Sequence, residues 1–520
     1  MKKRYIILTT LFFAISMVGC KKGFLSQEVN PNSPSVASPQ ALLSGAEAQT
    51  AARLNNGTYN WISVWMGYTC PSGNYVPSAL LETYSFTNAS FNSFGSIYSN
   101  LTNYNALIAQ AAADPSAANF GAIGQIMSAL CYQELVDNYN DVPYTQALNS
   151  SKYLFPAYDS GQSIYNALMT RLDGAIATIN ASGSAVNPGS SDIIFGGTMA
   201  SWKKFANTLK LRIALRQSNI SANTAALKTE VAKTASEGYL DDVTFATANP
   251  GYQNQDINGG QQSPFYLSYG FSAAGGEQGG HAYYRANSVY VNYLKSLNDT
   301  SRLKQVFAAV NTPAELAQTP VPAIPNNAAH ITGITLGADA SNGTNSSVSP
   351  YGPGLDIGPT MNAVVISGSE ACFLLSEGVL SGYVTTGTAQ DYYQRGITAS
   401  FTALGVASPA TAAAAYYSQP VANVSWTASS ANYQQAIITQ KYIALVGFNY
   451  LEPYNEYRRT GYPTIAKTAR SVKNGALGTT NIVNRIYYPV TEYQQNLAAV
   501  SAEPAVDPFN STIFWAKKIN

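Results

Sequence analysis

The chain offers few groups for covalent or acid–base chemistry. Its two histidines, His281 and His330, stand in polar, loop-rich sequence. Neither belongs to a His-Glu-x-x-His or Cys-x-x-Cys spacing, which would set two ligands on one zinc ion. No Gly-x-Ser-x-Gly elbow presents a serine nucleophile, and no Gly-x-x-x-x-Gly-Lys loop cradles phosphate. Asp137-Asn138-Tyr139-Asn140-Asp141 has the alternating oxygens of a calcium loop. Val142 stands where that loop needs its glycine, and Leu148 where it needs a bidentate glutamate. With Pro143 following, the segment reads as a helix end. Paired carboxylates for glycoside hydrolysis are defined by separation in space, which spacing along the chain does not give. The reading is a chain without catalytic residues, metal or cofactor.

Groups for non-covalent recognition are abundant. There are 36 Tyr, 5 Trp and 19 Phe, and only 11% of residues are charged, against about 25% in an ordinary globular chain. A surface so poor in charge must be covered by amides and hydroxyls. Such a surface suits a neutral, hydroxyl-rich ligand: rings cover the apolar faces of a sugar, while Asn, Gln, Asp and Arg meet its hydroxyl edges. Two irregular segments carry this mixture. Tyr59–Tyr84 supplies the candidates Trp65, Tyr68, Asn74 and Tyr75, and Tyr252–Tyr284 supplies Tyr252, Tyr266, Tyr269 and Tyr283. Trp61 and Trp65 are four apart, which is also the spacing of one buried helix face. Basic and acidic residues number 29 and 28. That balance excludes nucleic acid, which demands a basic surface, and electrostatic attachment to a membrane.

The first residues read as a targeting signal. Lys2-Lys3-Arg4 is a basic start, and Tyr5 to Val18 is mostly apolar but too short for a comfortable span of about 20 residues. Met17-Val18-Gly19-Cys20 then resembles a bacterial lipobox, which implies cleavage after residue 19 and lipidation of Cys20. Three cysteines remain, Cys70, Cys131 and Cys372, too few for a complete set of pairs. The apolar surroundings of Cys131 and Cys372 suit buried, inert thiols.

The elements that must position the aromatics are mainly helices. Residues 20–37 read as a polar, Pro-rich tether. Ser38 is placed to cap a helix with Pro39 in its first turn. Spaced apolar residues predict helices over 92–113, 117–138, 160–179, about 202–213 and 222–237. From about 240 to 360 Gly, Asn, Gln, Pro and Tyr dominate, with one helix-like interruption at 286–298. A long loop-rich stretch of this kind is usually functional. Helices return at 361–382, 387–404 and 431–449, and 450–520 reads as irregular with Trp515 as an anchor. Helical pairs in this order suggest a tetratricopeptide-like solenoid, although no clean repeat aligns.

Several segments together resemble the SusD/RagB family. Gly121–Leu148 contains LVDNYNDVPY, residues 195–216 contain WKKFANTLKLR, and residues 367–383 contain EACFLLSE. QKYIAL (440–445), EYRRTGYP (456–463) and NRIYYPVTEYQQN (484–496) follow in family order. The resemblance implies a mostly α fold: a tetratricopeptide-like helical-pair superhelix over 38–240 and 361–450, supporting an irregular ligand-binding part near 240–360. It implies a lipoprotein on the outer membrane, displayed at the surface and membrane-attached through its lipid alone. Such a protein captures oligosaccharides and delivers them to a SusC-like TonB-dependent transporter. Peptide capture in the manner of RagB is the alternative. A secreted hydrolase and a purely structural subunit are rival readings. The family's hallmark residues are read as structural: Glu370 and Glu377 share a helix face and are expected to pair with Arg458 or Arg459, and Trp202 and Phe205 are expected in the core.

Overall fold

Ser38 caps the first long helix. Its hydroxyl accepts from the Ala41 N–H at 3.3 Å, and Pro39 takes the first turn, where no N–H is required. The computed structural model describes residues 37–257, 260–337, 345–464 and 482–517; Cys20 and its leader lie outside them. The longer helices are α1 (Pro39–Asn55), α2 (Ser93–Ala113), α3 (Ala118–Tyr139), α4 (Gly161–Ala181), α5 (Met199–Arg216) and α6 (Thr224–Ala232). They continue with α7 (Ser288–Ser296), α8 (Gly368–Leu380), α9 (Ala389–Ala403), α10 (Pro409–Tyr417), α11 (Tyr433–Ala444) and α12 (Leu451–Thr460).

Successive helices pack as pairs: α2 on α3, α4 on α3 and α5, α8 on α9, α9 on α10, with α5 and α11 closing on α8. The fold is therefore the mostly helical, paired-helix scaffold expected. Gly121 and Gly124 let α3 lie close on α2, since a Cβ at Gly121 would meet Ala111 and one at Gly124 the Tyr104 carbonyl. α3 ends at Tyr139, where Asn140 turns to φ +69°. The Asp137–Asp141 segment is thus a helix end. Asp141 then accepts from the Gly161 N–H at 2.8 Å and ties the end of α3 to the start of α4.

Two expectations need correction. The stretch 361–382 is not one helix. Ala363–Ile366 is a strand, and α8 starts only after Ser367, whose hydroxyl accepts from the Glu370 N–H; β-branched Val364, Val365 and Ile366 favour the extended form. The stretch 450–520 is not wholly irregular, because Leu451–Thr460 is helix α12. Its sequence, LEPYNEYRRT, is almost entirely polar, yet Leu451 to Arg459 are all buried. Leu451, Tyr454 and Tyr457 recur at helical spacing, but Glu452, Glu456, Arg458 and Arg459 are buried with them, and so much charge reads as exposed loop.

That charge is paired inside the molecule. Arg216 Nη2 lies 2.7 and 2.8 Å from the two oxygens of Glu452, and Lys441 Nζ lies 2.7 Å from Glu456. Arg459 holds Glu377 through Nη1 and Nη2, at 2.8 and 2.7 Å, and Glu456 through Nε at 2.7 Å. Glu370 pairs with Arg212 instead of either expected arginine. Arg458 reaches the carbonyls of Asp137 and Asn484 and lies over the Tyr454 ring. This network fastens α5, α8, α11 and α12 together. It also removes scarce charge from the surface.

Three short antiparallel ribbons complete the fold: β1 (Thr69–Pro71) with β5 (Tyr284–Ala286), β2 (Val142–Pro143) with β3 (Tyr158–Asp159), and β4 (Ala246–Ala248) with β6 (Ala363–Ile366). The segment that leads into β1 and the loop-rich stretch between β4 and β6 both fold onto the scaffold through tyrosines. Tyr68 donates to the Tyr442 carbonyl at 2.7 Å and stacks on the Tyr442 ring at 4.4 Å; Tyr442 donates in return to the Met66 carbonyl at 2.8 Å. Tyr290 donates to the Ile443 carbonyl at 3.0 Å. Trp202, Phe205 and Trp515 are fully buried, and the Trp515 Nε1 donates to Asp137 at 3.0 Å, so Trp515 does anchor the C-terminal part.

Candidate functional site

The β1–β5 ribbon joins the two aromatic segments that the sequence separates by some two hundred residues. Its register pairs Thr69 with Ala286, Cys70 with Arg285 and Pro71 with Tyr284. The ladder runs on one step, with the Ser72 N–H donating to the Tyr283 carbonyl at 2.8 Å. Tyr75, on the loop after β1, thereby meets Tyr283 edge-to-face, with ring centroids 4.9 Å apart and planes at 68°. Tyr75 is 39% exposed and Tyr283 is half-buried. Asn74 is exposed beside them, its Oδ1 accepting from the Asn345 N–H at 3.0 Å. The Ser72 hydroxyl bonds the Asn345 side chain and closes the same loop. Rings, amides and hydroxyls thus converge on one face, with Val76 fully open at its edge.

The other candidates fall into two groups. Trp65, Tyr68 and Tyr269 are walled off from solvent, at 1%, 0% and 2% exposure. Trp65 packs edge-on to Trp61 and Tyr84, at 4.6 and 5.2 Å. Tyr269 bonds Asn60 through its hydroxyl and packs against Phe265, Tyr351 and Tyr284. Of the three, Tyr269 supports the pair from below, through Tyr284, whose ring meets Tyr283 edge-on at 4.8 Å; Trp65 and Tyr68 belong to the core. Their Gly-, Ser- and Pro-flanked sequence looks like surface, but loops that fold back on a scaffold also need a core. Tyr252 and Tyr266 are half-buried and share no ring contact with Tyr75 or Tyr283. Burial pushes the Tyr252 hydroxyl up to about 12. The Tyr266 ring lies against Gly270, where a Cβ would come within 2.5 Å of it.

Sequence reasoning missed Ser72, Asn345 and Arg285. Ser72 and Asn345 belong to unremarkable polar runs, and only the packing of two distant loops brings them together. The reactive residue types are held in structural contacts. His281 Nδ1 lies 2.8 Å from the Tyr269 carbonyl, with its ring on Phe271 at 4.6 Å. His330 bonds Asn327 and Glu315. Cys70, Cys131 and Cys372 are buried and unpaired, and burial pushes the Cys70 thiol up to about 12. Among the described residues no group of His, Cys, Asp and Glu is gathered to hold a metal, and no helix is long and apolar enough to cross a membrane.

The family model SusD-like_2, described as "Starch-binding associating with outer membrane", matches residues 31–489. Solved structures repeat the architecture. A chitin-binding protein is 25% identical with a TM-score of 0.68, over 91% of this chain and 99% of its own. A chitin-binding SusD homologue from Flavobacterium johnsoniae is 22% identical with a TM-score of 0.69, over 91% and 98%. A SusD homologue from Bacteroides fragilis NCTC 9343 is 23% identical with a TM-score of 0.74, over 93% and 100%. A search of curated proteins returned no match. The paired-helix architecture these structures share defines the class as a SusD-type fold. Within it, the chain belongs to the SusD-like family described as starch-binding and associating with the outer membrane.

Proposed function

We propose that this protein captures oligosaccharides on the face built by Tyr75, Tyr283 and Asn74 and passes them, unaltered, to a SusC-like TonB-dependent transporter. The observation that carries the reading is the β1–β5 pairing, which brings exposed Tyr75 and Asn74, on the loop after β1, beside half-buried Tyr283, at the end of the helix that leads into β5. An edge-to-face pair offers one ring face outward to the C–H side of a sugar, while Asn74 and the Tyr hydroxyls meet its edges. The chitin-binding relatives support a glycan as ligand. The family description supports a place at the outer membrane. In this reading Cys20 carries the lipid, the segment up to residue 37 is the tether, and the described body acts as a lid on the transporter.

Calorimetric titration of the protein with oligosaccharides and peptides of matched length tests the proposal. Saturable binding of one glycan class, with the ligand recovered intact, is the expected result. Selective peptide binding would assign the face to peptide uptake, and recovery of shortened glycans would make the protein a hydrolase.

A further inference from the structure

Eight arginines are buried among the described residues, and seven have an evident partner for their charge. Arg53, Arg212, Arg216, Arg302 and Arg459 each lie against a carboxylate. Arg458 lies over the Tyr454 ring at 4.0 Å and Arg485 over the Tyr488 ring at 5.1 Å. Arg285 is the exception. It is 3% exposed, and no described carboxylate lies within ion-pair distance and no ring lies over it. Its Nη1 donates to the carbonyls of His281 and Tyr284. Its Nε is buried without a partner.

The place of this cation matters as much as its isolation. Arg285 is two residues from Tyr283 and opposite Cys70 in the β1–β5 register. Arg285 lies on β5, and Tyr283 ends the short helix Gly279–Tyr283 that leads into that strand. The ionisable groups whose fields reach the guanidinium are Glu277 and Tyr75. Tyr75 and Glu277 are both exposed in good part, and the Tyr75 hydroxyl makes no hydrogen bond to described residues. With Nη1 committed to backbone, what remains is the Nε–Nη2 edge. Those two N–H groups are parallel and spaced for the two oxygens of a carboxylate. The molecule uses that edge in this way elsewhere: Arg53 holds Glu134 with Nε to Oε1 at 2.9 Å and Nη2 to Oε2 at 2.8 Å.

We infer that Arg285 is a specificity-determining residue of the ligand face and that the glycan it reads carries a carboxylate, as in a uronic acid. Tyr75 swings aside to admit the acid group, the Nε–Nη2 edge takes its two oxygens, and Tyr283 stacks on the ring that bears it. A buried cation without a counter-ion is costly, and an acidic ligand supplies the missing charge. Glu277 opposes the same ligand from the rim. This inference rests on the glycan reading above.

The test titrates the full-length chain in detergent with an oligogalacturonate, a maltooligosaccharide of equal length and an acidic peptide. The acidic glycan is expected to bind more tightly than the neutral one and to weaken as salt rises. Arg285→Gln should cost the acidic glycan roughly tenfold or more in Kd beyond any loss it causes for the neutral one. Glu277→Gln should tighten the acidic glycan and spare the neutral one; it keeps the test open if the Arg285 variant does not fold. Preference for the neutral glycan, or indifference of the acidic one to both substitutions, overturns the inference and leaves the glycan reading standing. Binding of the peptide alone overturns both.

Discussion

At the scale of single residues, buried carboxylates set how this protein responds to pH. Glu47 is fully buried; burial first, and the neighbouring charge of Asp192 second, raise its carboxyl well above 4.5. A raised acid favours the folded state at low pH, because the fold then binds a proton that the unfolded chain releases. That contribution is complete below about pH 4.5 and is lost as pH rises through the elevated folded value. Glu47→Gln keeps a neutral side chain of the same shape. Urea unfolding of the variant should therefore show added stability near pH 8 and little change near pH 4. Glu452 acts in the opposite sense. Burial pushes its carboxyl up, but Arg212, Arg216 and Lys441 outweigh it and hold the group at about 2. Its stabilisation is present above the ordinary carboxylate range and is lost as pH falls from about 4.5 toward 2. Glu452→Gln should flatten the acid limb of the unfolding profile over that window.

At the scale of elements, helix α12 shows what hydrophobic patterning cannot reveal. α3, α4 and α5 carry spaced apolar residues, and the sequence placed them within a few positions. In α12 the apolar period of Leu451, Tyr454 and Tyr457 is masked by the Glu, Asn and Arg side chains buried beside it, which read as surface. The same distinction explains the ligand face. Tyr75 and Tyr283 were legible as aromatic residues in polar loops, and so, with equal claim, were Tyr68 and Tyr269. Which of them face solvent depends on the β1–β5 register and on the docking of the short helix Pro264–Tyr269 against Gly279–Tyr283. Both are long-range pairings that no local period encodes.

Two predictions belong at this level. Glu377→Ala leaves Arg459 buried without its bidentate partner and should cost about 3–5 kcal/mol of unfolding free energy, read by denaturant titration with an unchanged m-value. Gly280 lies where a Cβ would sit 2.3 Å from the Ser268 carbonyl oxygen. Gly280→Ala should push the helix bearing Tyr283 away from its neighbour, costing about 1–3 kcal/mol, and should weaken ligand binding more than its effect on global stability explains.

At the scale of the whole molecule, structural and recognition chemistry are kept apart. Most of the paired charge lies inside, where it locks α5, α8, α11 and α12. The outward face of the loop-rich part carries rings, amides and hydroxyls, with few charges such as Glu277 among them. A low overall charge together with a dense interior ion network is therefore consistent: the few charges present are spent largely on specifying how the helices meet. The helical scaffold was readable from periodicity and caps, and the SusD-like class from ordered motifs. The floor of the site, the isolated Arg285 and the Ser72–Asn345 closure needed the fold.

The most direct test of the account is calorimetric binding of oligosaccharides to the intact protein and to Tyr283→Ala, with thermal unfolding followed in parallel. Ligand capture on the face at Tyr75 and Tyr283 predicts saturable binding of intact glycan by the parent chain and a loss of about 1–3 kcal/mol in the variant, taking the stacking of a nucleic-acid base on an aromatic ring as the scale, at an unchanged unfolding temperature. Equal affinity in the two proteins, both folded, would contradict it and move the binding site away from Tyr75 and Tyr283.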